Sequence, residues 1–209
     1  MKKYIPNFLT ILRILLVPIF AFVMVSEIKN AYILSLLILL IACFTDYLDG
    51  KLARKFNAVS KFGLFMDPLA DKILVLTTFI IFLQINILSD IVLPWMVILI
   101  LLRDVFVTIL RLAMKKYDIP MVTSNISKFK TSLQMMMIIL LLILLIFESR
   151  IMMNNIFFIL KGFMILLTLF TVYTGIDYYR KNFNLLLQKL KWLKVESHIL
   201  FPHSFILEK

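Results

Sequence analysis

Cysteine occurs once in the 209 residues, at Cys43, so no disulfide can form within one chain. Glycine occurs only four times, which leaves no Gly/Ser linker, and no internal repeat or low-complexity segment stands in for one. Both histidines, His198 and His203, lie in the C-terminal tail away from other candidate ligands and read as solvated or interfacial. Acids are scarce as well: 12 Asp and Glu face 23 Lys and Arg, for a net charge of +11. Such an excess would suit nucleic acid. Here, however, the cations flank apolar segments and gather on alternate connections, which points to an anionic membrane surface and sets nucleic acid aside as a partner.

What the chain has in quantity is apolar side chains, 62% of all residues, with a mean hydropathy of +0.99. Segments of about 17 or more mostly apolar residues are the mark of membrane-spanning helices. The expected spans are Asn7–Val25, Ala31–Thr45, Pro68–Ile87, Ile91–Leu110, Leu133–Phe147 and Ile156–Tyr173. The second and fifth are short in their apolar part and must extend into polar sequence or tilt. The first is too long, and lacks the small-residue cleavage site, for a cleaved signal peptide. Lys and Arg crowd the N-terminal tail, the second-to-third connection, the fourth-to-fifth connection and the C-terminal tail, whereas alternate loops hold only Lys29 and Arg150. By the positive-inside rule both termini, and the stretch that follows the second span, face the cytoplasm. The expected fold is therefore an all-α integral membrane protein with six transmembrane helices in the cell (inner) membrane. Residues 1–181 form the six-span domain. Residues 182–209 form a tail whose "FNLLLQKLKWLK" (183–194) reads as a basic amphipathic helix lying in the interface.

Four of the eight aspartates fall within 26 residues, in "TDYLDGKLARKFNAVSKFGLFMDPLADK". Asp46 and Asp49 are three apart and Asp67 and Asp71 four apart, so each pair shares one helix face at the cytoplasmic end of its span. Two antiparallel helices joined by a short polar connection can aim all four at one point, and Gly50, Ala53 and Gly63 leave room for something bulky between them. Individual alternatives exist. Asp67 before Pro68 is also an N-cap arrangement; Asp71 has Lys72 or Lys61 to pair with, and Asp46 or Asp49 has Arg54. As an account of four converging anions beside hydrocarbon, ion pairs are weak, because like charges there repel and are costly to desolvate. A divalent cation compensates them, and hard carboxylate oxygens select Mg²⁺ or Mn²⁺ over zinc. Carboxylate clusters of this kind act on phosphates, so the residues alone point to metal-dependent chemistry on a phosphate ester at the cytoplasmic membrane face.

The pattern Asp46-x2-Asp49-Gly50-x2-Ala53-Arg54-x8-Gly63-x3-Asp67-x3-Asp71 resembles, at all eight fixed positions, the signature of the CDP-alcohol phosphatidyltransferase family. That resemblance implies transfer of a phosphatidyl group from a CDP-linked lipid to an alcohol with release of CMP. It also implies a six-helix fold, a homodimer, and a polar cavity open sideways to lipid. Asp46, Asp49, Asp67 and Asp71 correspond to metal ligands, and Asp71 also to the catalytic base that deprotonates the acceptor hydroxyl. Gly50, Ala53, Arg54 and Gly63 would line the nucleotide and pyrophosphate site; the arginine fork suits phosphate oxygens.

Within that family, "IPNFLTILRI", "FGLFMDPLADK", "RDVFVTILR" and "SKFKTSLQ" resemble the phosphatidylglycerophosphate synthase branch from about residue 5 to about residue 140. The branch implies CDP-diacylglycerol as donor, with Asn7 and Thr10 among the residues that bind it, and sn-glycerol 3-phosphate as acceptor. Candidates for the acceptor's phosphate are Arg103, Arg111, Lys128 and Lys130; for the two lysines the positive-inside rule is a sufficient alternative. Many members of the branch carry glutamate at the position of Asp104 and glycine at that of Ser127. The Arg-Asp pair also occurs in related cardiolipin synthases, whose acceptor is phosphatidylglycerol. The five cations of the fourth-to-fifth connection, Arg111, Lys115, Lys116, Lys128 and Lys130, favour the small phosphorylated alcohol.

Overall fold

The computed structural model describes residues 5–55, 61–117, 119, 125–147 and 154–200, with side chains for 8–46, 48, 72–115, 117, 119, 129–147 and 155–189. Within these residues all regular structure is helical. The helices are α1 (Ile5–Val25), α2 (Ala31–Lys55), α3 (Lys61–Phe82), α4 (Pro94–Lys116), α5 (Asn125–Phe147) and α6 (Asn154–Leu200), with one 3-10 turn at Asn86–Leu88. Asn30 takes the left-handed conformation (φ 63°), which asparagine tolerates better than most residues, and turns the chain into α2. Leu93 is extended and Pro94 opens α4, where its missing N–H goes unused.

The expected spans each acquire a helix, with different ends. α2 continues to Lys55 and α5 begins at Asn125, the extension into polar sequence that their short apolar parts require. α3 begins at Lys61 rather than Pro68, so Asp67 lies inside the helix and the N-cap alternative does not hold; Gly63 joins the same helix. α6 runs 47 residues, about 70 Å at the α-helical rise, and the expected boundary between 181 and 182 falls inside it. Three helical stretches among the described residues are long and apolar enough to cross a membrane: Phe8–Val25, Phe129–Phe147 and Asn155–Lys189. Ala31–Asp46 and Lys72–Phe82 are shorter apolar helices, and Arg103, Asp104 and Arg111 interrupt the apolar run of α4.

The burial pattern matches a lipid solvent. Phe20, Leu39, Phe79, Ile100, Leu141 and Met164 are fully buried in one core built from all six helices. Large apolar side chains also cover the outside: Phe22, Phe44, Ile109, Phe158 and Leu166 are more than half exposed. An outer surface of that kind is unfavourable in water and ordinary in hydrocarbon, where helices satisfy their own backbone groups. The protein is a membrane protein. A second, smaller cluster, with Val107, Met114, Tyr178 and Leu186 buried, joins α4 to the long extension of α6.

Helix direction decides where the polar residues meet. α1 packs on α2 and α3, α5 on α2, α3 and α6, and α4 on α6. Arg13 in the first half of α1 reaches Asp46 past the middle of α2, and Lys130 near the start of α5 reaches Asp104 near the middle of α4. The first halves of α1 and α5 thus share one end of the bundle with α2 and α4 from their middles onward.

Candidate active site

At that end, α1 presents Thr10 and Arg13, three residues apart on one face and both 1% exposed. The Arg13 guanidinium donates from Nη2 to Asp46 Oδ1 at 2.8 Å, and the Asp46 side chain is 47% exposed. A charged group buried beside apolar helices needs such a partner. The pair borders a cavity of about 480 Å³ between α1, α2, α3 and α5. Its wall is polar at Arg13, Asp46, Thr131 and Ser132 and apolar along Met135, Met136, Ile139 and Leu140, one helical turn further into the bundle. A molecule with a charged head and a hydrocarbon body matches that gradient. Cys43, informative in the sequence only for the disulfide it cannot make, lines the same wall.

Asp49, Gly50, Ala53, Arg54, Gly63, Asp67 and Asp71 lie on α2 and α3, but their side chains, like those of Asn7 and Lys128, are outside the described residues. Among the described side chains no group of three or more carboxylate, histidine or cysteine ligands occurs. What the structure offers to a divalent cation is one half-exposed carboxylate oxygen donor, Asp46, beside a cavity, and three more aspartates on α2 and α3. An all-oxygen donor set of this charge fits a hard cation.

A second cluster centres on Asp104, which is 3% exposed. Its Oδ1 accepts from Arg103 Nη1 at 2.8 Å and from Lys130 Nζ at 2.7 Å. Arg103 also donates from Nη2 to Thr174 Oγ1 at 3.1 Å, tying α4 to α6. Lys72 of α3 reaches across to α4. It donates to Thr108 Oγ1 and, at 3.4 Å, to the Asp104 carbonyl, while the Thr108 hydroxyl donates to that carbonyl at 2.6 Å. Arg111 stands close enough for its charge to act on Lys72, as do Arg103 and Asp104. Two cations, Arg103 and Lys130, therefore share the Asp104 carboxylate, Lys72 holds the backbone carbonyl of the same residue, and Arg111 lies within electrostatic reach of Lys72. Nε of Arg103 and of Arg111 are buried donors without an acceptor among the described residues. Buried cations with donors to spare suit an anion.

Of the four cations expected on an acceptor phosphate, Arg103 and Lys130 come together on one oxygen and Arg111 lies within electrostatic reach of Lys72. Sequence reasoning missed Lys72, Thr108 and Thr174, whose partners are 32 to 71 residues away. It also missed the pairing of Arg13, although an arginine inside an apolar run was signal enough to look for one.

Comparison with known proteins adds to this geometry. Residues 3–174 match the profile of the CDP-alcohol phosphatidyltransferase family, a stretch that contains all eight motif positions. A Bacillus subtilis (strain 168) protein named CDP-diacylglycerol–glycerol-3-phosphate 3-phosphatidyltransferase is 33% identical over 200 residues, covering 87% of this chain and 96% of the relative. Proteins of the same name from Rickettsia typhi and Haemophilus influenzae are 39% identical over 135 residues (64% of this chain, 72% of the relative) and 35% identical over 137 residues (65% and 73%). With a match that spans most of its length and carries every motif residue, the chain belongs to the CDP-alcohol phosphatidyltransferase family.

Proposed function

We propose that this protein transfers the phosphatidyl group of CDP-diacylglycerol to sn-glycerol 3-phosphate, giving phosphatidylglycerophosphate and CMP. The observation that carries the reading is the coexistence, at one end of the bundle, of two sites. One is a head-and-tail cavity at Arg13 and Asp46; the other is a cation cluster around Asp104. A lipid donor and a phosphorylated alcohol require those two environments side by side. The names of the relatives agree with it. In the same reading all six helices cross the cell membrane, both termini and the active site face the cytoplasm, two copies associate, and the tail from residue 182 lies along the membrane surface.

Asp46, Asp49, Asp67 and Asp71 would hold Mg²⁺ or Mn²⁺, which supplies positive charge to the pyrophosphate as its bridge breaks. The protein does the rest. Arg13 holds Asp46 in place, and Arg54 binds phosphate oxygens where Gly50, Ala53 and Gly63 let the nucleotide approach the backbone. Lys72, Arg103, Arg111, Lys128 and Lys130 hold the phosphate of the acceptor, with Asp104 fixing Arg103 and Lys130 against their mutual repulsion. Asp71 takes the proton of the acceptor hydroxyl. The acceptor oxygen then bonds to the phosphorus that carries diacylglycerol, the pyrophosphate P–O bond breaks, and its electron pair leaves with CMP.

The deciding experiment is an acceptor panel with purified protein, CDP-diacylglycerol and Mg²⁺, scored by CMP release. Glycerol 3-phosphate is expected to support turnover, with phosphatidylglycerol, serine and inositol phosphate near background. A preference for phosphatidylglycerol would instead make the protein a cardiolipin synthase. Lys130→Ala is expected to raise KM for glycerol 3-phosphate about ten-fold, the value of one charge-assisted hydrogen bond, and to leave KM for the lipid unchanged. Equal changes in both constants would assign Lys130 to membrane topology.

A further inference from the structure

α6 contains two of the four glycines, Gly162 and Gly175, both inside the helix. Glycine is a poor helix former, so each position invites a reason. At Gly162 an added β-carbon would meet nothing within 4 Å. At Gly175 it would stand 2.7 Å from Cγ of Arg103, 3.5 Å from its Nε and 3.7 Å from its Cδ. All three nearest atoms belong to one side chain of α4. The common explanation for small residues in membrane helices, close approach of two backbones, therefore does not describe this contact.

Arg103 is tethered at both ends. Its backbone is fixed in α4, and its guanidinium is held by Asp104 at 2.8 Å and by Thr174, the neighbour of Gly175, at 3.1 Å. Cγ lies between those two anchors. A methyl group at 175 has to push it, and the guanidinium must then leave Asp104, Thr174 or both.

We propose that Gly175 is a positioning residue for Arg103. The missing side chain lets the arginine lie across α6, the Thr174 hydroxyl fixes its outer nitrogen, and α6 thereby sets where the acceptor's phosphate is held. This rests on the assignment of Arg103 to that phosphate. Gly175 touches no substrate; it acts through the arginine alone.

The test uses the full chain in detergent micelles with CDP-diacylglycerol. Gly175→Ala is expected to raise KM for glycerol 3-phosphate about ten-fold, as one displaced charged hydrogen bond would, with KM for the lipid unchanged. Thr174→Val moves the same constant in the same direction. Gly162→Ala leaves both constants at the wild-type value. In an Arg103→Ala background, Gly175→Ala has no further effect, because the two changes act on one contact. Should variants turn over too slowly, the rise in melting temperature on adding glycerol 3-phosphate gives the same ranking without catalysis. An unchanged KM in Gly175→Ala, or a full additional effect on top of Arg103→Ala, overturns the proposal while leaving the acceptor reading intact. Wild-type protein that neither turns over nor is stabilised with glycerol 3-phosphate overturns both.

Discussion

Asp67→Asn is expected to reduce CMP release by about a thousand-fold or more, roughly 4 kcal/mol of transition-state stabilisation, with the protein still inserted and helical. Asparagine has nearly the volume of aspartate and keeps one carbonyl oxygen, so packing inside α3 changes little. What goes is a negative charge, and with it much of the attraction for a hard divalent cation. Asp49→Asn is expected to behave alike from α2.

Stability carries a second signature of the opposite sign. Without a metal, carboxylates grouped at one end of two helices repel one another, so removing a charge raises the melting temperature of the metal-free protein. With Mg²⁺ present, wild type is expected to gain stability by binding it, and the variant to gain less. The measurement is thermal unfolding of both proteins with chelator and with Mg²⁺. An Asp67→Asn protein that still turns over, or that is stabilised by Mg²⁺ as strongly as wild type, would remove Asp67 from the metal site.

The helices were readable because lipid-facing segments are apolar all round, and a run of leucine and isoleucine needs no finer pattern to announce itself. Their ends were not, because a helix does not stop where hydrocarbon does. α6 continues 27 residues past Tyr173 through polar sequence, helped by pairs such as Lys181 to Asp177 at 2.8 Å, one turn apart. Residues 83–87 and 91–93 gave the reverse error: they read as parts of the third and fourth spans, yet α3 stops at Phe82, a 3-10 turn follows at Asn86–Leu88, and α4 begins only at Pro94.

At the site, whatever depends on local spacing was legible. The aspartate pairs and the position of Arg103 within an apolar run can be read from a few neighbouring residues. Lys72 meeting α4, and Arg103 threading past Gly175, join residues 32 to 72 apart and depend on which helices are neighbours and which way each runs. No spacing rule encodes that. Gly175 gave the weakest signal of all, a rare residue type inside an otherwise ordinary helix.

Asp104→Asn is the companion experiment on the cation cluster, and the structure fixes the signs of its effects. Asp104 and Lys130 are each 3% exposed, and one Asp104 oxygen takes hydrogen bonds from both Lys130 and Arg103. Asparagine retains an acceptor oxygen but not the charge, so two buried cations lose their counter-charge with Lys72 close by. Breaking a buried ion pair from one side costs about 3–5 kcal/mol, read here as a lower melting temperature in detergent. An anion bound among the cations replaces part of the missing charge. Glycerol 3-phosphate, or inorganic phosphate as the simpler probe, is therefore expected to raise the melting temperature more in Asp104→Asn than in wild type. Asp104→Glu keeps the charge one methylene further out and is expected to recover most of the lost stability with wild-type sensitivity to phosphate. If Asp104→Asn melts like wild type and responds no more strongly to phosphate, the cations are neutralised elsewhere, and the acceptor site must be sought away from α4.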